Sequence, residues 1–232
     1  MSTNAWKPFI APDLLEIASS GRKVAFHTIP GSGWWRTGHQ HSSDGGFVGV
    51  ESAKPLKDVE SFKIEASLKI KGADVQLTLH DTSLLCPFYY SDQGCLFLYV
   101  TDTLWLKAGL EHVNGKIRVS CVVNDPYADW SLDPAEVDTD YKQPHTFSID
   151  IMKQEQEPLP LIRFSYNGRV LREVPAFGLT QGQMERKFRV GLMGCSPMSN
   201  GCMVHFDEIS IEGAIERPSA GDNCYEASAN LV

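Results

Sequence analysis

Apolar and polar residues alternate with a period of two along most of this chain. Phe62–Ile70 and Val75–His80 alternate most strictly. Cys95–Val100, Leu104–Glu111, Lys116–Asn124, Thr146–Met152 and Ile162–Tyr166 follow the same rhythm, and Phe188–Met193 and Cys202–Ile211 read as two further strands. That period belongs to β-strands, whose successive side chains point to opposite faces; no segment carries the 3.6-residue period of a long amphipathic helix. Turn signals separate the runs, at Lys71-Gly72-Ala73-Asp74, Val113-Asn114-Gly115 and Tyr166-Asn167-Gly168-Arg169. The two Asn-Gly pairs predict tight hairpins, because both residues tolerate the positive φ of a type I′ turn. Many short strands without intervening helices predict an all-β jelly-roll sandwich of two antiparallel sheets. Pro12–Ser19 reads as one short helical turn, and the polar, Pro-containing Tyr127–Gln143 as a long covering loop. The chain reads as one domain over residues 1–213 with a flexible polar tail over 214–232.

Alternation also sorts the residues of each strand onto two faces. Leu104, Leu106, Ala108 and Leu110 oppose Trp105, Lys107, Gly109 and Glu111. Gly94, Leu96, Leu98 and Val100 oppose Gln93, Cys95, Phe97 and Tyr99. Val119, Cys121 and Val123 oppose Arg118, Ser120, Val122 and Asn124, and Val75, Leu77 and Leu79 oppose Gln76, Thr78 and His80. The apolar sets must meet between the sheets. The opposite sets then share the outer face of one sheet, which mixes Trp105, Phe97 and Tyr99 with Gln93, Lys107, Glu111, Ser120, Gln76 and His80. Aromatic side chains among a few convergent polar groups are what a small-molecule site needs. The competing reading is a covered sheet whose polar groups pair with one another.

The residue types on that face suggest the chemistry. Lys107 and Glu111 lie four apart, about 13 Å along an extended strand, so each is expected to pair with a neighbouring strand rather than with the other. Lys107 suits an anionic or carbonyl oxygen; Glu111 suits hydroxyl protons or the role of a base, with His80 as a further acid or base. The structural alternative is cross-strand ion pairing, worth about 0.2–1 kcal/mol. If the face is functional, Glu111→Gln should leave folding almost intact. Trp35, Gln93, Trp105, Ser120, Trp130 and Ser196 are the candidate ligand-binding residues, with Trp35 and the Trp130 loop as a roof. His39-x-His41 near Asp44 has the look of a metal pair but lacks well-spaced companions in His80 and His205. No nucleophile elbow, phosphate loop or dinucleotide fingerprint is present. Neither a metal nor a cofactor is expected.

Composition narrows the partners. The chain has 232 residues, ordinary globular hydrophobicity and a net charge of −8. That charge argues against nucleic acid and against polybasic contact with anionic lipid. Met1–Pro8 has no apolar core of a signal peptide, and no apolar run approaches the roughly 20 residues of a membrane span. A cytoplasmic location is therefore expected. Cys86, Cys95, Cys121, Cys195, Cys202 and Cys224 match no zinc spacing, and all six are expected as free thiols.

Several segments, taken in order, resemble one family. They are Trp34-Trp35-Arg36-Thr37, Tyr90-Ser91-Asp92-Gln93-Gly94, Thr103–Glu111, Val122-Val123-Asn124, Asp129-Trp130-Ser131, Gly194-Cys195-Ser196-Pro197 and His205–Ile209. Together they resemble the family named for regulation of enolase, from about Pro8 to Ile211. The resemblance implies a concanavalin A-like jelly roll, cytoplasmic in fungi, with links to enolase regulation and to sugar-binding relatives of the fold. Gly94-Cys95 and Asn124 depart from the pattern.

Three functions stay open. The first is a small-ligand-binding or metabolic regulatory protein that accepts a carbohydrate or polyol on the concave face of one sheet. The second is a cofactor-independent isomerase, lyase or cyclase of a small metabolite, using Lys107, Glu111 or His80. The third is a module that binds a protein partner. Depth discriminates among them: an enclosed pocket favours the enzyme, an open groove the sugar, a flat face the protein.

Overall fold

The computed structural model describes residues 6–33, 36–37, 40–41, 45–71, 90–113, 116–125, 128–136, 145–175, 181–197 and 199–216. The strands are β1 (Lys7–Ile10), β2 (Leu14–Ile17), β3 (Val24–His27), β4 (Arg36–Thr37), β5 (Gln40–His41), β6 (Gly46–Pro55), β7 (Ser61–Lys71), β8 (Tyr90–Thr101), β9 (Leu104–Val113), β10 (Lys116–Asn124), β11 (Ala128–Glu136), β12 (His145–Met152), β13 (Leu161–Tyr166), β14 (Arg169–Val174), β15 (Lys187–Cys195) and β16 (Met203–Glu212). A 3-10 turn over Leu56–Asp58 joins β6 to β7, and one turn of α-helix, α1 (Gln181–Met184), precedes β15. The front sheet runs β1-β6-β15-β8-β9-β10-β11 and the back sheet β14-β13-β12-β7-β16-β3-β2, antiparallel throughout; β4 and β5 form a separate pair.

The inward face of each strand is the apolar set that alternation selects. In β7, Phe62, Ile64, Ala66, Leu68 and Ile70 are buried, while Lys63, Glu65 and Lys69 between them are half-exposed. Leu96, Leu98, Leu104, Leu106, Val119 and Val123 of the front sheet meet them in one core with Phe147, Ile149, Phe164, Val204 and Phe206. Asn167 and Gly168 take φ of 47° and 77°, as the hairpin between β13 and β14 requires. Val113 pairs with Lys116, and the expected turn at Asn114-Gly115 lies outside the described residues.

Two expectations are corrected. Leu14–Ile17, read as a helical turn, is a strand paired with β3; pairing satisfies its backbone and seats Leu15 and Ile17 on the core. Ala128–Glu136, read as loop, is the edge strand β11 against β10. Its register slips between Leu132 and Glu136, and Pro134 falls in that irregularity, where an edge strand tolerates a residue without an N–H. Strand β6 was not legible, because Gly46, Gly49, Ser52 and Ala53 blur its alternation. The expected strand Val75–His80 lies outside the described residues.

Gly49 and Gly191 pair across β6 and β15. A Cβ on Gly191 would stand 2.1 Å from the Val48 carbonyl oxygen, and one on Gly49 would stand 2.5 Å from that of Val190. The two strands approach too closely for side chains there, which leaves bare backbone on the outer face of the front sheet.

Candidate functional site

The strand registers lay the outer face of the front sheet out in rows, spaced about 7 Å apart by the usual rise of a strand. The first row reads Glu51, Arg189, Tyr99, Trp105, Asn124 from β6 to β10. The second reads Gly49, Gly191, Phe97, Lys107, Val122, and the third Phe47, Met193, Cys95, Gly109, Ser120. The fourth reads Cys195, Gln93, Glu111, Arg118. Phe47, Cys95, Phe97, Trp105, Val122, Met193 and Cys195 form a second apolar cluster on this face, separate from the core between the sheets. Phe97 sits at its centre, edge-on to Phe47 at 5.0 Å and tilted against Trp105 at 5.8 Å.

Within that cluster lies a buried polar triad. The Lys107 ammonium donates to Glu111 Oε1 and, at 2.5 Å, to Gln93 Oε1. Gln93, Lys107 and Glu111 are 0%, 2% and 1% exposed. The link corrects the expectation that Lys107 and Glu111 pair with other strands rather than with each other. Gly109 stands between them on the same face, and without a side chain there the lysine stem can run along its own strand to the carboxylate. A Cβ on Gly109 would itself meet the Gly94 carbonyl at 2.2 Å.

Charge is confined to a dry setting. Burial works against the Lys107 ammonium, but the Glu111 carboxylate outweighs it, and the group is held above the ordinary lysine range. Lys107 is therefore a fixed cation and donor at neutral pH, not a base or an amine nucleophile. Burial pushes the Cys95 thiol up to about 12 and Cys195 well above its ordinary value, so both behave as small apolar side chains. Cys95, Cys121, Cys195 and Cys202 are free and buried; Cys86 and Cys224 lie outside the described residues.

One donor of the triad is unused. Gln93 gives its oxygen to Lys107, which fixes the amide orientation, and among the described residues its buried Nε2 has no acceptor. Asp92, the preceding residue, points the other way. Its Oδ1 accepts from Ser196 Oγ at 2.6 Å and Ser199 Oγ at 2.5 Å, and Ser196 also contacts Thr28. Cys202 N–H donates to Thr28 Oγ1 at 2.8 Å, closing a loop staple at the end of the sandwich.

Of the residues singled out from sequence, the structure brings Gln93, Lys107 and Glu111 together and sets Trp105 and Ser120 on the same buried face. Ser196 is placed elsewhere, in the Asp92 staple, because it follows Cys195 and takes the opposite parity. Trp35, His80 and the metal candidates His39 and Asp44 lie outside the described residues, as do the side chains of His41 and Trp130. Glu51, Tyr99, Asp102, Arg186, Lys187 and Arg189 line an open groove of about 1020 Å³ at the first row, which sequence reading did not assign. Its signal was present: Arg189 interrupts the otherwise apolar run Phe188–Cys195, and Lys187 precedes it on the same parity.

Fold and face together define a concanavalin A-like jelly-roll sandwich with a polar triad set into the outer face of one sheet. Residues 16–214 match the family described as Protein of unknown function (DUF1349), and the chain belongs to that family. No curated protein matches it in sequence. Among solved structures, a functionally unknown protein from Saccharomyces cerevisiae superposes with a TM-score of 0.65 at 19% identity, covering 93% of this chain and 100% of the other. An alginate lyase from Pseudomonas aeruginosa superposes with a TM-score of 0.56 at 14% identity, covering 92% and 100%. A mutant of the GH43 protein BlXynB from Bacillus licheniformis gives 0.56 at 12% identity, with 90% of this chain matched to 37% of that one. At these identities the likeness is one of fold.

Proposed function

We propose that this protein binds a carbohydrate or a similar polyol on the outer face of its front sheet, with Gln93, Lys107 and Glu111 as the polar floor and Trp105 and Phe97 as the apolar wall. The observation that carries the reading is the unused Gln93 Nε2. A buried donor without an acceptor costs about 1–3 kcal/mol, and a hydroxyl or carbonyl oxygen of a ligand would relieve that cost. An alginate lyase and a GH43 protein on the same fold support a sugar as the ligand class. The motif resemblance to the regulation-of-enolase family supports a metabolic regulatory role and a cytoplasmic location for the same binding event.

The burial of the triad favours a second reading, a lyase or isomerase without cofactor. In it Glu111 abstracts a proton and the fixed Lys107 cation stabilises the developing oxyanion. Calorimetric titration with neutral and acidic oligosaccharides, on wild type and on Gln93→Met, tests the binding proposal. The expected result is binding that Gln93→Met abolishes; a full-strength complex with Gln93→Met sinks it. NMR and chromatography of the sugar after prolonged incubation separate the two readings, since cleaved or isomerised product appears only under the second.

A further inference from the structure

The groove at the first row has a charge arrangement that the triad does not explain. Arg189 lines it, with its guanidinium carbon 4.5 Å from the Phe9 ring centre and 6.0 Å from that of Tyr99. The rings support the guanidinium through its π-faces. Among the described residues its N–H groups meet no hydrogen-bond acceptor and no carboxylate, although Glu51 is its direct cross-strand neighbour. Arg186, at the mouth, likewise has no side-chain partner among the described residues. Lys187 is tied to Glu216. Asp102 accepts from the Tyr99 hydroxyl at 2.6 Å. The groove therefore offers a planar fork of donors held open on two aromatic rings, with a second cation beside it.

We infer that this groove is a subsite for the carboxylate of an acidic sugar, so that the ligand of the front face is a uronate-containing oligosaccharide. The inference rests on the proposal that this face binds a glycan. A guanidinium fork matches a carboxylate in two parallel hydrogen bonds. With Lys187 neutralised by Glu216, Arg189 and Arg186 are the cations left to a ligand; the Arg189 fork suits a planar carboxylate, and Glu51 beside it weighs more heavily against a phosphate, with about −1.5 to −2 at pH 7, than against a single negative charge. Glu51 and the Asp102–Tyr99 pair are in turn suited to hydroxyls, which a sugar acid carries and a simple carboxylate does not. Arg189 is one row from Lys107, and the face from Tyr99 to Gln93 runs six residues, about 20 Å. One extended oligosaccharide can reach both.

The test is calorimetric titration of the full chain with trigalacturonate, with a neutral trisaccharide and with a sugar phosphate. Wild type is expected to bind trigalacturonate about tenfold or more tighter than the neutral trisaccharide, the scale of one charge-assisted bidentate contact, and to show no comparable preference for the phosphate. Arg189→Gln should erase the preference for the acidic over the neutral sugar. Because Arg189 packs on two rings, Arg186→Gln at the exposed mouth provides a second variant, expected to reduce the preference severalfold in a protein with a native melt. Lys153→Gln, at an exposed cation just past β12, should change nothing. Equal affinity for acidic and neutral sugars overturns the subsite and leaves the sugar-binding proposal standing. A phosphate preferred over the uronate overturns the carboxylate assignment. Binding of none of the three overturns both.

Discussion

The two sheets of this sandwich turn opposite kinds of outer face to their surroundings. On the back sheet Lys63 pairs with Glu65 at 2.9 Å, Arg163 with Glu173 at 2.7 Å and Lys23 with Asp207 at 3.4 Å, all partly exposed. On the front sheet one ion pair, Lys107–Glu111, is buried with Gln93 among Phe97, Trp105, Cys95 and Cys195. Solvated pairs add little, because water screens them and side-chain entropy opposes them. A buried pair is different: neither partner can lose the other without leaving a charge in a dry site. The same alternation of apolar and polar positions thus makes a soluble skin on one side and a preorganised polar floor on the other. What separates them is the company of the charges, not their number.

The largest expected effect breaks the front face. Glu111→Gln takes its paired carboxylate from the buried Lys107 charge and is expected to cost about 3–5 kcal/mol in urea unfolding. That revises the sequence-based expectation of nearly intact folding. Replacing both partners at once, Lys107→Met with Glu111→Leu, should restore most of the loss, since no charge is then stranded. A loss below about 1 kcal/mol for Glu111→Gln would place the pair with the solvated ones. The sign of the pH dependence follows from the raised Lys107 value. The stability it contributes is complete below the ordinary lysine value of about 10.4 and is lost only as pH rises through the raised one. An alkaline unfolding curve that shifts in Lys107→Met checks it.

Leu106→Ala tests the inward face of the same strand. Leu106 is fully buried between the sheets, and its truncation should cost about 2–5 kcal/mol through lost burial and an unfilled cavity. Sugar binding should survive in the folded fraction, whereas Glu111→Gln should lose it. If Leu106→Ala removes binding at native stability, the two faces have been assigned in reverse.

Arg163→Ala on the back sheet comes next. Its pair with Glu173 is more than a third exposed on both sides, so the loss should stay within about 1 kcal/mol and shrink further in high salt. A larger loss would mean that the back face carries its own coupled network.

Much of this contrast was legible in the sequence. Period-two alternation assigned Lys107, Glu111, Gln93, Trp105 and Ser120 to one face because a strand's side chains have only two directions to choose from. It did not reveal the Lys107–Glu111 link, because rise per residue alone separates them; the glycine between them and the flexible lysine stem close the gap. Ser196 was drawn in by a motif whose neighbour, Cys195, is the residue on that face. Strand β6 escaped because glycines and small residues replace its alternation, and β11 because Pro134 imitates a loop while sitting in an edge irregularity. The groove was missed for a different reason. Its residues come from β6, β8, α1 and β15, and only tertiary pairing puts Glu51, Arg189 and Tyr99 in one row.

The smallest expected effect concerns protons on the back face. His205 points outward from β16, opposite Lys69. Partial burial lowers its proton affinity first, Lys71 and Lys69 lower it further, and Asp207 and Glu16 oppose them; the net direction is downward. An imidazole that resists protonation in the folded state favours unfolding in mild acid, because the unfolded chain binds the proton more readily. Its contribution is therefore fully present above the ordinary histidine value of about 6.5 and is lost as pH falls through the lowered one. The front face has the opposite sign and a different window, losing its Lys107 contribution only in alkali. A proton NMR titration of the His205 ring should give a midpoint below that of a model peptide, and Lys71→Gln should move it back upward. His205→Gln should flatten the stability curve slightly in mild acid and leave it unchanged in alkali. A His205 midpoint at or above the peptide value would show that Asp207 and Glu16 dominate there, and the back face would then hold its charges as tightly as the front.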